Sequence, residues 1–237
     1  MKLLFILVFV FLNAHLSLAQ ELNFPQEINL FQYSKSVSER PLFMNRNARI
    51  WGWSNSGKVA YSIETAVDGR GGQIIDFAVL DLISDKPIFK LKMDSFDHND
   101  ATDEALYNLF KANIFDALKT HSIIGQMTEF SKFPIRKNDM TYNGQITNID
   151  YKKDKDGYLG YDTVTKYTVV ATADNKRKII GDFTPVNATT GYIYVCGYFL
   201  SPFENRALVV VAEEHFGHEG TELTYRLSGC HLGTGFK

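Results

Sequence analysis

The chain has 237 residues, 45% of them hydrophobic and 22% charged, and a formal net charge of -2. That length can bury a substantial core, while the near-neutral balance excludes the basic footprint of a nucleic-acid binder or of a protein drawn to an anionic membrane. Two cysteines exclude a disulfide-stapled scaffold.

The chain opens with Lys2, an unbroken apolar run from Leu3 to Leu12, and small residues at Ser17 and Ala19. This is the pattern of a secretory signal over residues 1–19, with Gln20 beginning the mature chain. The run is too short for a membrane helix, which needs about 20 residues. No Cys follows it to take a lipid, and no other segment reaches spanning length. The expectation is an exported protein, periplasmic or extracellular, with no membrane span once the signal is gone.

Ile28 to Tyr33 reads as an edge strand. Arg49 to Ser54 and Val59 to Glu64 flank Asn55-Ser56-Gly57, whose glycine supplies the positive φ of a tight hairpin. In the second of these strands Val59, Tyr61 and Ile63 share one face, and Ala60, Ser62 and Glu64 the other. A polar loop from Val67 to Gly72 precedes a buried strand, Ile74 to Ile83. A turn at Ser84 to Pro87 leads to Ile88 to Met93, where Phe89, Leu91 and Met93 alternate with Ile88, Lys90 and Lys92. Four antiparallel strands in a meander result.

One long helix is predicted near 101–121, capped by Asp100 or Thr102, with Asp103 and Glu104 at its positive end. Leu106, Leu109, Phe110, Ile114, Ala117 and Leu118 form its apolar face, directed at the sheet. Beyond Pro134 come Gly144 to Lys152, Thr163 to Ala173, Arg177 to Phe183, Gly191 to Leu200, Arg206 to Glu214 and Glu222 to Leu232, spaced as a second antiparallel sheet. The fold class is α+β, mainly antiparallel β: two meander sheets, or one strongly curved sheet, with the helix inserted. Residues 20–122 and 143–237 form an N-terminal and a C-terminal part, either separate or fused as one domain.

Candidate chemistry is sparse. Asp154, Asp156 and Gly157 approach a calcium-loop pattern, but Lys152 and Thr163 stand where first and last ligands belong, so a solvated hairpin turn is the better reading. His215 and His218, with Glu213, Glu219 or His231, could assemble zinc ligands, although the segment is not H-E-x-x-H. Ser54 and Ser201 sit in turns outside any G-x-S-x-G elbow. Gly69 to Gly72 lacks the Lys-Ser/Thr pair of a phosphate loop. Cys196 and Cys230 either form one bridge or stay as two buried thiols. No cofactor is indicated.

WGWSNSGKVAYSIE followed by FAVLDLISDKPIFKLKM resembles a β-propeller blade of the TolB type, yet a propeller needs about four blades and the chain offers two. The order of motifs is similar to an uncharacterised family of predicted secreted bacterial proteins. It comprises a signal peptide, the Trp53-Ser54 hairpin with Gly57 and Lys58, a D-G-x-G-G loop (Asp68, Gly69, Gly71, Gly72), Val79-x-Asp81-Leu82, a helix, Gly197-Tyr198 leading to Leu200-Ser201-Pro202, and Gly217, Glu219 and Gly220. The family pattern has Phe where this chain has His218. The resemblance implies secretion and carries no activity. The expected role is therefore a binding or envelope-associated module more than an enzyme. Its ligand residues would be Asp68, Gly69, Gly71, Gly72 and Glu219, and its partner an unknown small ligand or an envelope protein. The alternative is a metal-dependent hydrolase using His215, His218 and His231.

Overall fold

A computed structural model describes residues 24–30, 46–67, 72–126, 128–157, 159–216 and 221–237, so the predicted signal at 1–19 lies outside the described residues. The N-terminal sheet has five strands, β1 (Ile28–Asn29), β2 (Arg46–Trp53), β3 (Lys58–Val67), β4 (Gly72–Asp81) and β5 (Lys86–Asp94), lying side by side in chain order. All neighbours are antiparallel. This is the predicted meander, with the expected edge strand reduced, among the described residues, to Ile28–Asn29.

A short 3-10 turn (Ser95–His98) leads to two helices, α1 (Asp103–Leu109) and α2 (Lys111–Thr120). Thr102 caps α1, its hydroxyl accepting the Ala105 N–H at 3.3 Å. The predicted helix is broken at Phe110, which leaves helical geometry at φ -96° and ψ 11°. Leu109 does not belong to the buried face and is 58% exposed. The face is built instead by Leu106, Tyr107, Ile114 and Ala117. At about 100° per residue it is centred between Leu106 and Tyr107, and Leu109 falls roughly 110° away from that centre.

The strands predicted as a second sheet divide into two. An outer sheet is built from β7 (Ile135–Lys137), β8 (Met140–Lys152), β9 (Thr163–Ala173) and β10 (Lys176–Phe183), in the order β10-β9-β8-β7. A central sheet is built from β6 (Phe130–Ser131), β11 (Thr190–Leu200), β12 (Arg206–Phe216) and β13 (Thr221–His231), in the order β13-β12-β11-β6. The α+β, mainly antiparallel class holds.

Three cores order these pieces as layers. Leu106, Tyr107, Ile114 and Ala117 pack on Trp51, Ala60, Ile75, Phe77, Val79 and Met93 of the N-terminal sheet. The opposite face of that sheet, with Ile50, Trp53, Val59, Ile63 and Leu80, meets Phe199, Leu208, Val210, Ala212 and Leu223 of the central sheet. The far side of the central sheet, with Tyr198, Ala207, Val209, Val211 and Cys230, meets Tyr142, Tyr167, Val169 and Ala171 of the outer sheet. Helices, N-terminal sheet, central sheet and outer sheet thus stack in that order. A sheet covered on both faces needs apolar residues at consecutive positions, which is why β12 reads Ala207-Leu208-Val209-Val210-Val211-Ala212 without polar interruption. No helix among the described residues is long and apolar enough to cross a membrane.

Candidate functional site

The predicted ligand residues Asp68, Gly69 and Gly71 join β3 to β4, and Glu219 joins β12 to β13; all four lie outside the described residues. Gly72 is described. It opens β4 under the Phe96 ring, and a Cβ there would collide with that ring. What the structure does fix is where the flanking strands come from. The Gly57 turn, which starts β3, lies against Ile83 and the Glu204 carboxylate of the β11–β12 turn. Beside it Arg206 Nη1, at the start of β12, donates to the Leu82 carbonyl at 3.0 Å. Close by, the Asp85 carboxylate of the β4–β5 turn accepts the Gly229 N–H of β13 at 2.5 Å. The tips of three hairpins are therefore clamped together at one end of the sandwich. From that end β3 runs 10 residues and β12 runs 11 residues away along a shared core. Both strands start at the clamped end, and the predicted ligand loops follow their far ends in sequence.

The histidines do not converge. His215 stands opposite Glu222 and His231 opposite Arg206, at the two ends of the β12–β13 ladder. Nine residues of extended strand separate His215 from Arg206, about 30 Å, whereas ligands of one zinc ion lie within a few ångströms of each other. His215 is buried, its Nε2 lying 3.2 Å from Thr224 Oγ1 and 3.8 Å from Glu222 Oε2. His231 Nδ1 accepts the Gly233 N–H at 3.0 Å, and its pKa is lowered by burial and by nearby Arg206 and Lys178. His218 lies outside the described residues. At that separation His215 and His231 cannot share an ion.

Of the two readings for the cysteine pair, the structure has the separate thiols. Cys196 and Cys230 are both buried, unbridged thiols. They project from opposite faces of the central sheet, Cys196 toward the N-terminal sheet and Cys230 toward the outer one, so no bridge can form. Burial pushes the Cys230 thiol up to about 11, which keeps it protonated and unreactive.

The remaining sequence candidates serve the backbone. Asp154 Oδ2 accepts the N–H groups of Leu159 and Gly160 at 2.9 and 2.8 Å, and Asp162 Oδ1 accepts that of Asp154, the solvated turn expected there. Ser54 Oγ accepts from Ser56 and Lys58, and Ser201 Oγ from Phe203 and Glu204, each closing its own hairpin. Neither serine has a base directed at it among these bonds.

Two polar constellations escape a reading by motif. In the central sheet the wholly buried Glu213 receives Tyr167 Oη (2.6 Å) and Arg226 Nε (3.1 Å) on Oε1, and the Val186 N–H (2.7 Å) on Oε2. In the N-terminal sheet the 2%-exposed Glu64 receives Arg49 Nε and Tyr107 Oη (2.7 Å) on Oε1. Tyr107 also meets Ser62 Oγ, which takes the Trp51 indole N–H. Burial and the adjoining glutamate raise the pKa of both tyrosines, so both stay donors. In each case Arg and Glu lie on adjacent strands, the Glu two residues beyond the Arg's register partner: Arg49 faces Ser62, and Arg226 faces Val211. An isolated Arg, Glu or Tyr in a strand or helix gives no signal of such a triad; its parts are far apart in sequence.

A surface groove of about 490 Å³ lies beside the β9–β10 turn, lined by Asn143, Thr172, Asp174, Asn175, Lys176 and Arg177 among others. It presents amide, hydroxyl and charged groups, with no cysteine, histidine or serine in its lining. Among the described residues no group of three or more His, Cys, Asp or Glu is placed to hold a metal ion. A scan of protein-family models, a search of curated proteins and a search of solved structures each return no match.

Proposed function

We propose that the chain is an exported binding or envelope-associated module that meets its partner at the end of the sandwich where β3–β4 and β12–β13 open. The reading is supported by one observation above the others: β3 and β12 both start at the clamped end, so that residues 68–71 and 217–220 follow the far ends of two strands that share a core. Gly-acidic loops carried on rigid strands can recognise a ligand without any catalytic group of their own. The leader pattern at residues 1–19 and the resemblance to secreted proteins of unassigned activity favour an exported setting. The partner is a small ligand or an envelope protein.

The test compares two variants of the full chain in capture from envelope extract. A D68A/E219A variant should lose at least about tenfold of the captured partner, a loss equivalent to about 1.4 kcal/mol. An I83S/F203S variant at the clamped end should retain it. Equal capture by both variants, or loss in the clamped-end variant alone, overturns the reading.

A further inference from the structure

The groove beside the β9–β10 turn has a rigid floor. Tyr142 and Ala173 stand opposite each other on β8 and β9, and both enter the core between the central and outer sheets. The next pair, Asn143 and Thr172, therefore points the other way, to solvent, and Arg177 of β10 stands beside Thr172 on that same face. Asp174 and Asn175 form the two-residue turn at φ 46° and 65°, the left-handed conformation that a tight hairpin requires. Arg177 is held at both ends. Its backbone N–H and carbonyl pair with Lys237 at 2.9 and 3.0 Å, and its Nη2 donates to Thr147 Oγ1 at 3.0 Å. Lys178, the next residue, donates to the His231 carbonyl at 2.9 Å. The groove thus lies toward the clamped end, apart from the strand ends that residues 68–71 and 217–220 follow.

Unused hydrogen-bonding capacity sets the groove apart. In other turns the polar side chains close on their own backbone: Asp81 Oδ1 accepts the Ile83 N–H, Asp154 Oδ2 that of Gly160, and Asn187 Oδ1 that of Thr189. Asp174 and Asn175 do nothing of the kind. Among the described residues, neither they nor the side chains of Thr141, Asn143, Thr172 and Lys176 make a hydrogen bond. The charges of the lining are mixed, Asp174 against Lys176 and Arg177. An anion would meet the carboxylate and a cation the two basic side chains, whereas a neutral polyol can use both, because each of its hydroxyls donates and accepts. We propose that this groove binds a neutral saccharide, whose hydroxyls are taken by the amides of Asn143 and Asn175, the Thr172 hydroxyl, the Asp174 carboxylate and the Arg177 guanidinium. Its volume of about 490 Å³ falls within the range of about 300–1,000 Å³ usual for small-ligand sites. The lining contains no aromatic ring, so hydrogen bonds carry the binding. Each contributes little net of its exchange with water, and the affinity is weak, with a Kd on the order of 1 mM.

The experiment follows the amide NMR signals of the isotope-labelled full chain during titration with maltotriose, cellotriose, triacetylchitotriose and inorganic phosphate, each to about 50 mM, well above the expected Kd. At least one trisaccharide should shift the side-chain amides of Asn143 and Asn175 and the backbone amides of Thr172 and Arg177 saturably. Raising the salt to about 0.5 M should leave that Kd unchanged, since a neutral ligand is not screened. Asn143→Ala combined with Asn175→Gly, where glycine preserves the positive φ of the turn, should raise the Kd at least about tenfold, read on the Thr172 and Arg177 amides. Thr172→Val, which deletes one hydroxyl, should raise it several-fold, and it serves alone if the double variant does not fold. D68A/E219A should bind the trisaccharide as wild type does, so the groove stands or falls separately from the loops of the proposed function. No saturable shift with any of the three sugars, wild-type affinity in the groove variants, or loss of binding in D68A/E219A overturns the proposal. A stronger response of the same amides to phosphate than to any sugar also overturns it, in favour of an anion site.

Discussion

Trp51 and Trp53 sit two residues apart in β2, yet their side chains enter different cores: Trp51 packs beneath the helices and Trp53 between the N-terminal and central sheets. A regular strand would put both on one face. The register of β2 against β3 shifts between Ile50 and Gly52, and this bulge reverses the alternation. Gly52 adopts φ +152°, and a Cβ there would collide with the Ile124 carbonyl oxygen. That carbonyl accepts the Trp53 N–H at 3.0 Å, tying the segment after α2 to the bulge.

Gly52→Ala should therefore lower unfolding free energy by about 3 kcal/mol or more, combining backbone strain with overpacking. Gly157→Ala is the control. Its φ of +65° carries a cost of about 1–2 kcal/mol, with no atom within 4 Å of the added methyl. Urea unfolding of the two variants should rank them in that order; equal losses would contradict the close approach at Gly52.

Asp85 makes stability depend on pH. Burial pushes its carboxyl up to about 6, with the Gly229 N–H and Arg206 opposing the rise. Because the folded value lies above the unfolded one, its contribution is complete below about pH 4 and declines as pH rises through about 6. Asp85→Asn retains an acceptor for Gly229 and removes the charge, so the variant should be more stable than wild type at pH 7 and should match it near pH 4. Parallel curves from pH 4 to 7 would be evidence against a strained carboxylate in the clamp.

Glu213 is satisfied on both oxygens, and removal of one partner exposes its charge to the apolar core. Arg226→Met should cost about 3–5 kcal/mol, and Tyr167→Phe about 1–3 kcal/mol. Replacing the pair together, as E213L with R226M, should cost less than R226M alone, because no buried charge is left unpaired. A double variant at least as unstable as the single one would show that the triad acts through shape and not through charge.

Unbridged thiols at Cys196 and Cys230 predict a mass unchanged by reduction and a Tm insensitive to dithiothreitol. Alkylation should occur under denaturing conditions and be slow in the native state, since the two residues are 4% and 1% exposed. Rapid native alkylation would place a thiol at the surface.

Much of the strand order was legible because period-2 patterns and turn residues bracket it: β9 spans Thr163–Ala173 as its sequence suggests, and the Ser54 and Ser201 turns close as expected. Faces were harder to read. A second bulge, between Val195 and Gly197, puts Tyr198 and Phe199 out of phase with Cys196, and no propensity marks such a shift. Glu64 shares its strand face with Ser62, which reads as solvent-facing until the helix is known to cover it. The break at Phe110 is similarly local, and it leaves Tyr107 in the buried face that Leu109 was expected to complete. Of the site, the strands that deliver the two loops were readable, while the common clamped end rests on long-range contacts such as Arg206 to Leu82 that no local pattern encodes.

The most direct test is a distance measurement in solution between spin labels at Gln73→Cys, at the start of β4, and Glu222→Cys, at the start of β13, the two buried native thiols remaining unlabelled. Sheets stacked about 10 Å apart with both loops at one end predict a single distribution at roughly 10–25 Å. A distribution centred beyond about 35 Å, the length of a ten-residue strand, would place the loops at opposite ends and contradict a shared binding end.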